Sequence, residues 1–235
     1  DDGLPHFDAS DAWELTGLGM PCDLLEVAPN VFRPEHETGA FVRVKRSQGG
    51  ERWEARVKNG FTYSFGGDGF DESENGNVYR YLLREANDLH GHKIRYEWDT
   101  SEGHALLTRV VWNDFSEKTR IEAVFAYEER PDTYERFSSG IRQTITRRLK
   151  TIDVTYGAGL VRRYTLGYVQ SPQSRLATFD VVGTDGTTGM PGLALEYTAP
   201  SFASAGQIVT MKSPPGRTPG DANVSLVDLN GDGLQ

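Results

Sequence analysis

What this sequence has little of narrows it first. It holds one cysteine, Cys22, so no internal disulfide can form. A lone thiol fits a bacterial or intracellular setting better than a disulfide-stapled secreted module. No apolar run approaches the roughly 18 residues that a membrane-spanning helix needs. The opening residues lack the basic-then-apolar order of a signal peptide, and no methionine stands at Asp1. With the abrupt stop at Gln235, both ends read as those of an excised or processed fragment. Positive charge is short too. Against 34 acidic side chains there are 25 basic ones, a net charge of -9. That balance argues against nucleic acid as a partner, because phosphate binding needs a net basic surface.

What is present is strand-forming. The 235 residues are enough for one large β domain or two modest ones, and 11% aromatic and 37% hydrophobic content marks a globular chain. In Lys93-Ile94-Arg95-Tyr96-Glu97-Trp98-Asp99 polar and apolar residues alternate throughout, placing Ile94, Tyr96 and Trp98 on one face. Residues 41–45 repeat the pattern with Val42 and Val44, and residues 119–128 with Ile121, Ala123, Phe125 and Tyr127. Residues 160–169 add Leu160, Arg162, Tyr164, Leu166 and Tyr168. Further strands are expected over residues 52–57, 61–65, 78–85, 105–112, 141–156, 176–182 and 193–197. The 78–85 segment has helix propensity, but the turn signals that follow it favour a strand.

Turn signals punctuate these runs: Asn59-Gly60, His90-Gly91, Glu102-Gly103, Gly157-Ala158-Gly159 and Thr184-Asp185-Gly186. About ten or more short strands without convincing helices mean an all-β architecture, a large antiparallel sheet or sandwich. Residues 66–77 are acidic, glycine-rich and aperiodic, so a mobile loop is expected there. Residues 200–223, with Pro214-Pro215, read as a linker. The expected organisation is therefore a β domain over residues 1–199, a Pro/Gly/Ser linker over 200–223, and a new unit over 224–235.

That last unit carries the most specific motif. In Asp228-Leu229-Asn230-Gly231-Asp232-Gly233 the oxygens of Asp228, Asn230 and Asp232 stand at positions one, three and five of a calcium-type loop. The alternative is a plain Asn-Gly-Asp-Gly turn. The chain stops two residues later, before the later ligands of such a loop, so any calcium would belong to a longer protein. Other signals are weaker. Glu72 and Glu74 have the spacing of a carboxylate pair, yet in an acidic loop they are expected to be solvated. His90, His92 and His104 could offer imidazoles to a metal, but no zinc-type spacing supports them. The Arg142, Arg147, Arg148 and Lys150 stretch is expected to be ion-paired strand surface, since Arg147 and Arg148 point to opposite faces. Aromatics such as Trp53, Trp98 and Trp112 are expected in packing rather than in a glycan groove. Glu97 and Glu122 are the carboxylates an enzyme reading would use.

The order of short motifs is recognisable. Asp2-Gly3-Leu4-Pro5-His6-Phe7-Asp8 leads to Trp13-Glu14-Leu15, Phe32-Arg33-Pro34 and Gly60-Phe61-Thr62-Tyr63-Ser64-Phe65-Gly66. Gly91 to Asp99, Phe125-Ala126-Tyr127-Glu128-Glu129-Arg130-Pro131-Asp132 and Leu160-Val161-Arg162-Arg163-Tyr164 follow. This series resembles the SpvB-like N-terminal region found in B components of bacterial Tc insecticidal toxin complexes and in the Salmonella virulence protein SpvB. Gly91 to Asp99 also resembles the tyrosine-aspartate repeats of Rhs proteins, with Trp98 in place of tyrosine.

The resemblance implies a structural, non-enzymatic role in a secreted bacterial toxin that is cytoplasmic before release. This region would contribute β-sheet wall to a shell enclosing a toxic effector, and Asp228 would open the first blade of a β-propeller. The implied partners are the rest of the same polypeptide, a C-type effector-carrying component and an A-type pore component. Neither nucleic acid nor membrane contact by this segment is implied, and no cofactor beyond calcium in the full-length protein. No catalytic residue is carried over, because the Glu72-x-Glu74 pair stands in the wrong context for the ADP-ribosylating site of SpvB. The alternative reading is a glycan- or protein-binding β module.

Overall fold

Alternating sequence becomes one very wide sheet. The computed structural model describes residues 5–8, 10–18, 21–137, 141–171 and 173–198. The chain divides into Asp1–Glu196 and Tyr197–Gln235. The expected linker at 200–223 and the unit at 224–235 lie outside the described residues.

The first unit begins with β1 (Trp13–Leu15), β2 (Cys22–Ala28), β3 (Val31–Pro34), β4 (Arg43–Arg46), β5 (Arg52–Arg56) and β6 (Thr62–Gly66). A ribbon of β7 (Asp71–Glu74) and β8 (Asn77–Tyr81) follows, then β9 (Leu83–Asn87), β10 (Lys93–Asp99) and β11 (Leu106–Trp112). Four long or terminal strands and their edge close the series: β12 (Ile121–Arg136), β13 (Gln143–Tyr156), β14 (Gly159–Ser171), β15 (Gln173–Val182) and β16 (Gly189–Ala194). No helix occurs among the described residues. Fourteen strands form one sheet in chain order, all pairs antiparallel, and only β7 and β8 stand apart as a second, two-stranded sheet.

Several expectations need correction. The segment at 66–77 is not a loop throughout: Asp71–Glu74 pairs with Asn77–Tyr81. Asn75 (φ 51°) and Gly76 (φ 84°) both take the left-handed conformation of a two-residue hairpin turn. The 78–85 segment is extended, as expected, but Leu82 splits it between two sheets. β2 and β3 show no alternation in the sequence, because their hairpin carries apolar residues on both faces: Leu24 is buried while Leu25 and Val27 are exposed. The last strand ends at Ala194 rather than reaching Tyr197. β12 runs on to Arg136 because an irregularity between Glu129 and Tyr134 absorbs Pro131, whose missing N–H a regular ladder would not tolerate.

Two faces follow from the register. On one, Ile94 opposes Trp112 and Tyr96 opposes Val110. Ala123 joins Val154, Phe125 joins Ile152, and Tyr164 and Leu166 join Val181 and Phe179. The other face carries Glu85, Arg95, Glu97, Arg109, Glu122, Asp153 and Arg163. The core sits where the first strands curl. Adjacent strands lie about 4.8 Å apart, so a flat sheet would separate β1 from β5 by roughly 19 Å. Yet the rings of Trp13 and Trp53 are 4.9 Å apart, with Phe32 5.1 Å from Trp53. Leu15, Leu24, Val42, Val44 and Ala55 complete this cluster. Tyr81 of β8 lies 5.9 Å from Trp53 and donates its hydroxyl to the Gly50 carbonyl at 3.0 Å. Gly66, at φ +72°, permits that closure, because a Cβ there would strike the Glu51 carbonyl and approach the Tyr81 ring to 2.6 Å.

Candidate functional site

Burying a polar side chain costs free energy unless it is bonded, so such residues mark where the fold commits polar chemistry to its interior. Among the described residues three qualify: Glu72, His104 and Gln143, at 3%, 2% and 1% exposure. All lie where the β7–β8 ribbon meets the turn after β10 and the start of β13. Glu72 accepts the backbone N–H of Ala105 and pairs with Arg80 at 2.8 Å. Gln143 donates to the Tyr79 hydroxyl at 2.8 Å and accepts from Arg136 Nε at 2.7 Å. Burial, reinforced by the negative charge of Glu72, raises the Tyr79 pKa above its ordinary value. His104 sets Nδ1 3.3 Å from the Glu102 carbonyl, and its Nε2 has no hydrogen-bond partner among the described residues. Leu82, Ile141 and Ile145, on the same segments or beside them in sequence, are buried as well. The cluster fastens the ribbon across the sheet.

Each residue singled out from sequence can now be placed. Glu72 is not a solvated loop carboxylate but the most deeply buried charge described, because pairing of β7 with β8 turns it inward. His90 and His92 stand in the β9–β10 turn with ring centroids 6.1 Å apart, and His92 Nδ1 lies 2.7 Å from Asp88. His104 is in a different turn. No group of three potential metal ligands occurs among the described residues. Asp228, Asn230 and Asp232 lie outside the described residues.

Glu97 and Glu122 do share a face, but Arg109 stands between them. It donates Nε to Glu122 at 2.9 Å and reaches Glu97 at 3.5 Å. The basic stretch at 142–150 is ion-paired, as expected. Arg147 pairs with Glu102 at 2.5 Å, and Arg148 with Glu128 at 2.7 Å; Lys150 also meets Glu128. The aromatics are structural where their polar atoms can be traced. Trp98 Nε1 donates to the Leu83 carbonyl at 2.8 Å, and the Tyr127 and Tyr168 hydroxyls donate to Leu107 and Leu149.

Carboxylates dominate the electrostatics. The hydrogen bond from His92 lowers the Asp88 pKa to about 2, and that from Thr146, with Arg147 beside it, lowers Glu102. Lys150 and Arg148 lower Glu128, and Arg130 and Ser174 hold Asp132 far below the usual range. A depressed folded-state pKa contributes stability that is present above the unfolded value, about 4, and lost as pH falls through the folded one. The urea midpoint is therefore expected to stay level from about pH 7 to pH 5 and fall steeply between about pH 4.5 and 2. A midpoint that rose on acidification would contradict these assignments.

The sheet's other notable feature is what does not cover it. From β10 to β16 the apolar face carries Ile94, Tyr96, Trp112, Phe125, Ile152, Tyr164, Leu166 and Phe179. All of them remain partly exposed, with only Ala123 buried in the middle. Tyr164 and Phe179 stack at 5.6 Å. Seven strands at about 4.8 Å spacing make this stripe roughly 30 Å wide.

No family model matches the chain, and no curated protein matches it. Solved structures do. The structure described as TcdB2-TccC3-TEV shares 17% identity over 84% of this chain and 13% of that one, with a TM-score of 0.61. TcdB2-TccC3 without its hypervariable C-terminal region gives 17%, 83%, 13% and 0.62. The N-terminal domain of effector protein SpvB from Salmonella typhimurium strain LT2 gives 14% identity over 77% of this chain and 83% of that one, with a TM-score of 0.60. The chain thus has the SpvB/Tc-like fold, and it spans only about an eighth of the TcdB2-TccC3 chains, 13%.

Proposed function

We propose that the chain is a structural, non-enzymatic segment of a bacterial toxin-complex B component, contributing β-sheet wall to a shell that encloses and delivers an effector polypeptide. The observation that carries this reading is the open sheet itself. Its polar face is neutralised by ion pairs across β9–β14, while its apolar face is left bare from β10 to β16. Sheets bury an apolar face against another layer, so this one is built to be part of something larger. The same fold occurs within chains of which it forms a small fraction. In this reading Asp228, Asn230 and Asp232 open a propeller blade that holds calcium. The partners are an effector-carrying C-type component and a pore-forming A-type component, and the whole is released from the bacterium. The glycan-binding alternative loses two candidate platforms, since Trp53 is buried and the Trp98 indole N–H is engaged with the Leu83 carbonyl.

The test is protease protection. The complete polypeptide containing this chain, assembled with its effector-bearing partner, is expected to shield the effector from a protease that degrades the free effector within minutes. Equal digestion in both states would refute the shell.

A further inference from the structure

Cations on the polar face are neutralised strand by strand over most of its width. Lys93 pairs with Glu85 at 3.1 Å, Arg95 with Asp114, Arg109 with Glu122, and Arg163 with Asp153 at 2.5 Å. The same face of β3–β5 breaks the rule. Register sets Arg43 directly opposite Arg56, and Lys45 opposite Glu54. Lys45 also opposes Val31, so Arg33, two residues further along β3, shares that face. Arg33 Nη1 reaches the Val42 carbonyl at 3.4 Å, at the entrance to β4.

Within β3–β5 the only carboxylate is Glu54, although Asp23 of β2 and Glu14 of β1 follow on the same face. Glu54 serves Arg56 at 3.0 Å. Glu37 lies near Arg33, and its Oε1 also accepts the backbone N–H groups of Gly39 and Phe41. Arg43 and Lys45 are exposed and have no carboxylate partner among the described residues. Like charges directly opposite one another destabilise a strand pair, so folding gives no reason for Arg43 to face Arg56. A cleft of about 420 Å³ adjoins the patch, lined in part by Lys45, Arg52, Glu54, Ser64 and Arg84. Ser64 is the shortest side chain in the row Lys45, Glu54, Ser64, Glu85 that crosses it.

We propose that the polar face of β3–β5 is a docking surface for an acidic polypeptide segment whose carboxylates supply the missing counter-charges. Arginine forks match carboxylates in two-point geometry. A nucleic acid is the poorer fit. The patch spans only three strands, about 10 Å across, so it suits a short segment rather than a long polyanion. This surface lies on the face opposite the bare apolar stripe, so the inference stands independently of the shell reading.

Fluorescence anisotropy of a labelled deca-glutamate peptide against the whole chain, at low salt, tests it. Saturable binding is expected, weakened about tenfold or more in the Arg43→Thr, Lys45→Thr double variant. Lys150→Thr, which removes a cation already paired with Glu128, is expected to bind as the parent does. Arg43→Thr alone is expected to melt at or above the parent temperature, since it relieves a like-charge contact with a good strand former; this separates lost docking from lost folding. Undiminished affinity of the double variant, no saturable deca-glutamate binding, or tighter binding of a ten-nucleotide single-stranded DNA would each overturn the proposal.

Discussion

Trp53→Ala is expected to lower the melting temperature by roughly 10 °C, the largest effect of any single substitution considered for this chain. Trp53 is 7% exposed and stands at the centre of the curl. Its ring lies 4.9 Å from Trp13 and 5.1 Å from Phe32, with the Arg46 guanidinium 5.2 Å above it. Removing a buried indole forfeits its transfer free energy and leaves a cavity that strands pinned by their ladders cannot close. The usual cost is about 3–5 kcal/mol, against a total domain stability of about 5–15 kcal/mol. Trp53→Phe separates packing from polarity. The Trp53 Nε1 has no hydrogen-bond partner among the described residues, so the phenyl ring loses volume but no bond. It is expected to cost about half as much or less. Melting followed by near-UV circular dichroism measures both. A loss under about 3 °C for the alanine variant would mean that the curl is held elsewhere.

The second large effect belongs to Glu72. Glu72→Ala leaves the Ala105 N–H without its acceptor and breaks the ion pair with Arg80. Breaking one partner of a fully buried pair costs about 3–5 kcal/mol. Arg80 keeps about a third of its side chain in water, so the expected cost here is smaller, about 2–3 kcal/mol. Glu72→Gln retains an oxygen for Ala105 and is expected to lose about 1–2 kcal/mol. Hydrogen exchange distinguishes a local from a global effect. Amides of β7, β8 and Ala105 are expected to exchange much faster in Glu72→Ala, while those of β12–β14 change little. Uniform acceleration along the chain, or none, would contradict the role of Glu72 as the fastening of the ribbon.

These residues also show where sequence reading succeeds and where it stops. Ile94, Tyr96 and Trp98 could be assigned to one face because β10 alternates without interruption, and the side-chain period of a strand is a local property. The turns at Asn59-Gly60 and His90-Gly91 are legible for the same reason: a glycine takes the left-handed conformation of a tight strand reversal at no steric cost. Asn75-Gly76 carries the identical signal, but the acidic residues around it obscure a four-residue strand. Ion pairing of Arg147 and Arg148 was also foreseeable, since alternation sends neighbours to opposite faces.

The tertiary structure alone decided the burial of Glu72, the closeness of Trp13 to Trp53 and the opposition of Arg43 to Arg56. Each depends on which strand lies beside which, and on the register between them. Glu72 looks like solvated charge until β8 and the Ala105 turn enclose it. Arg33, Arg43 and Arg56 look like scattered surface cations until the ladder sets them side by side. The sequence by itself determined an all-β chain, most of its strands and most of its turns, because φ/ψ preference and alternation are written within a few residues. The sheet's fourteen-strand continuity, its curl at one end and its bare apolar stripe at the other come from pairings between segments and from the twist that accumulates across them. No local stretch of sequence encodes either.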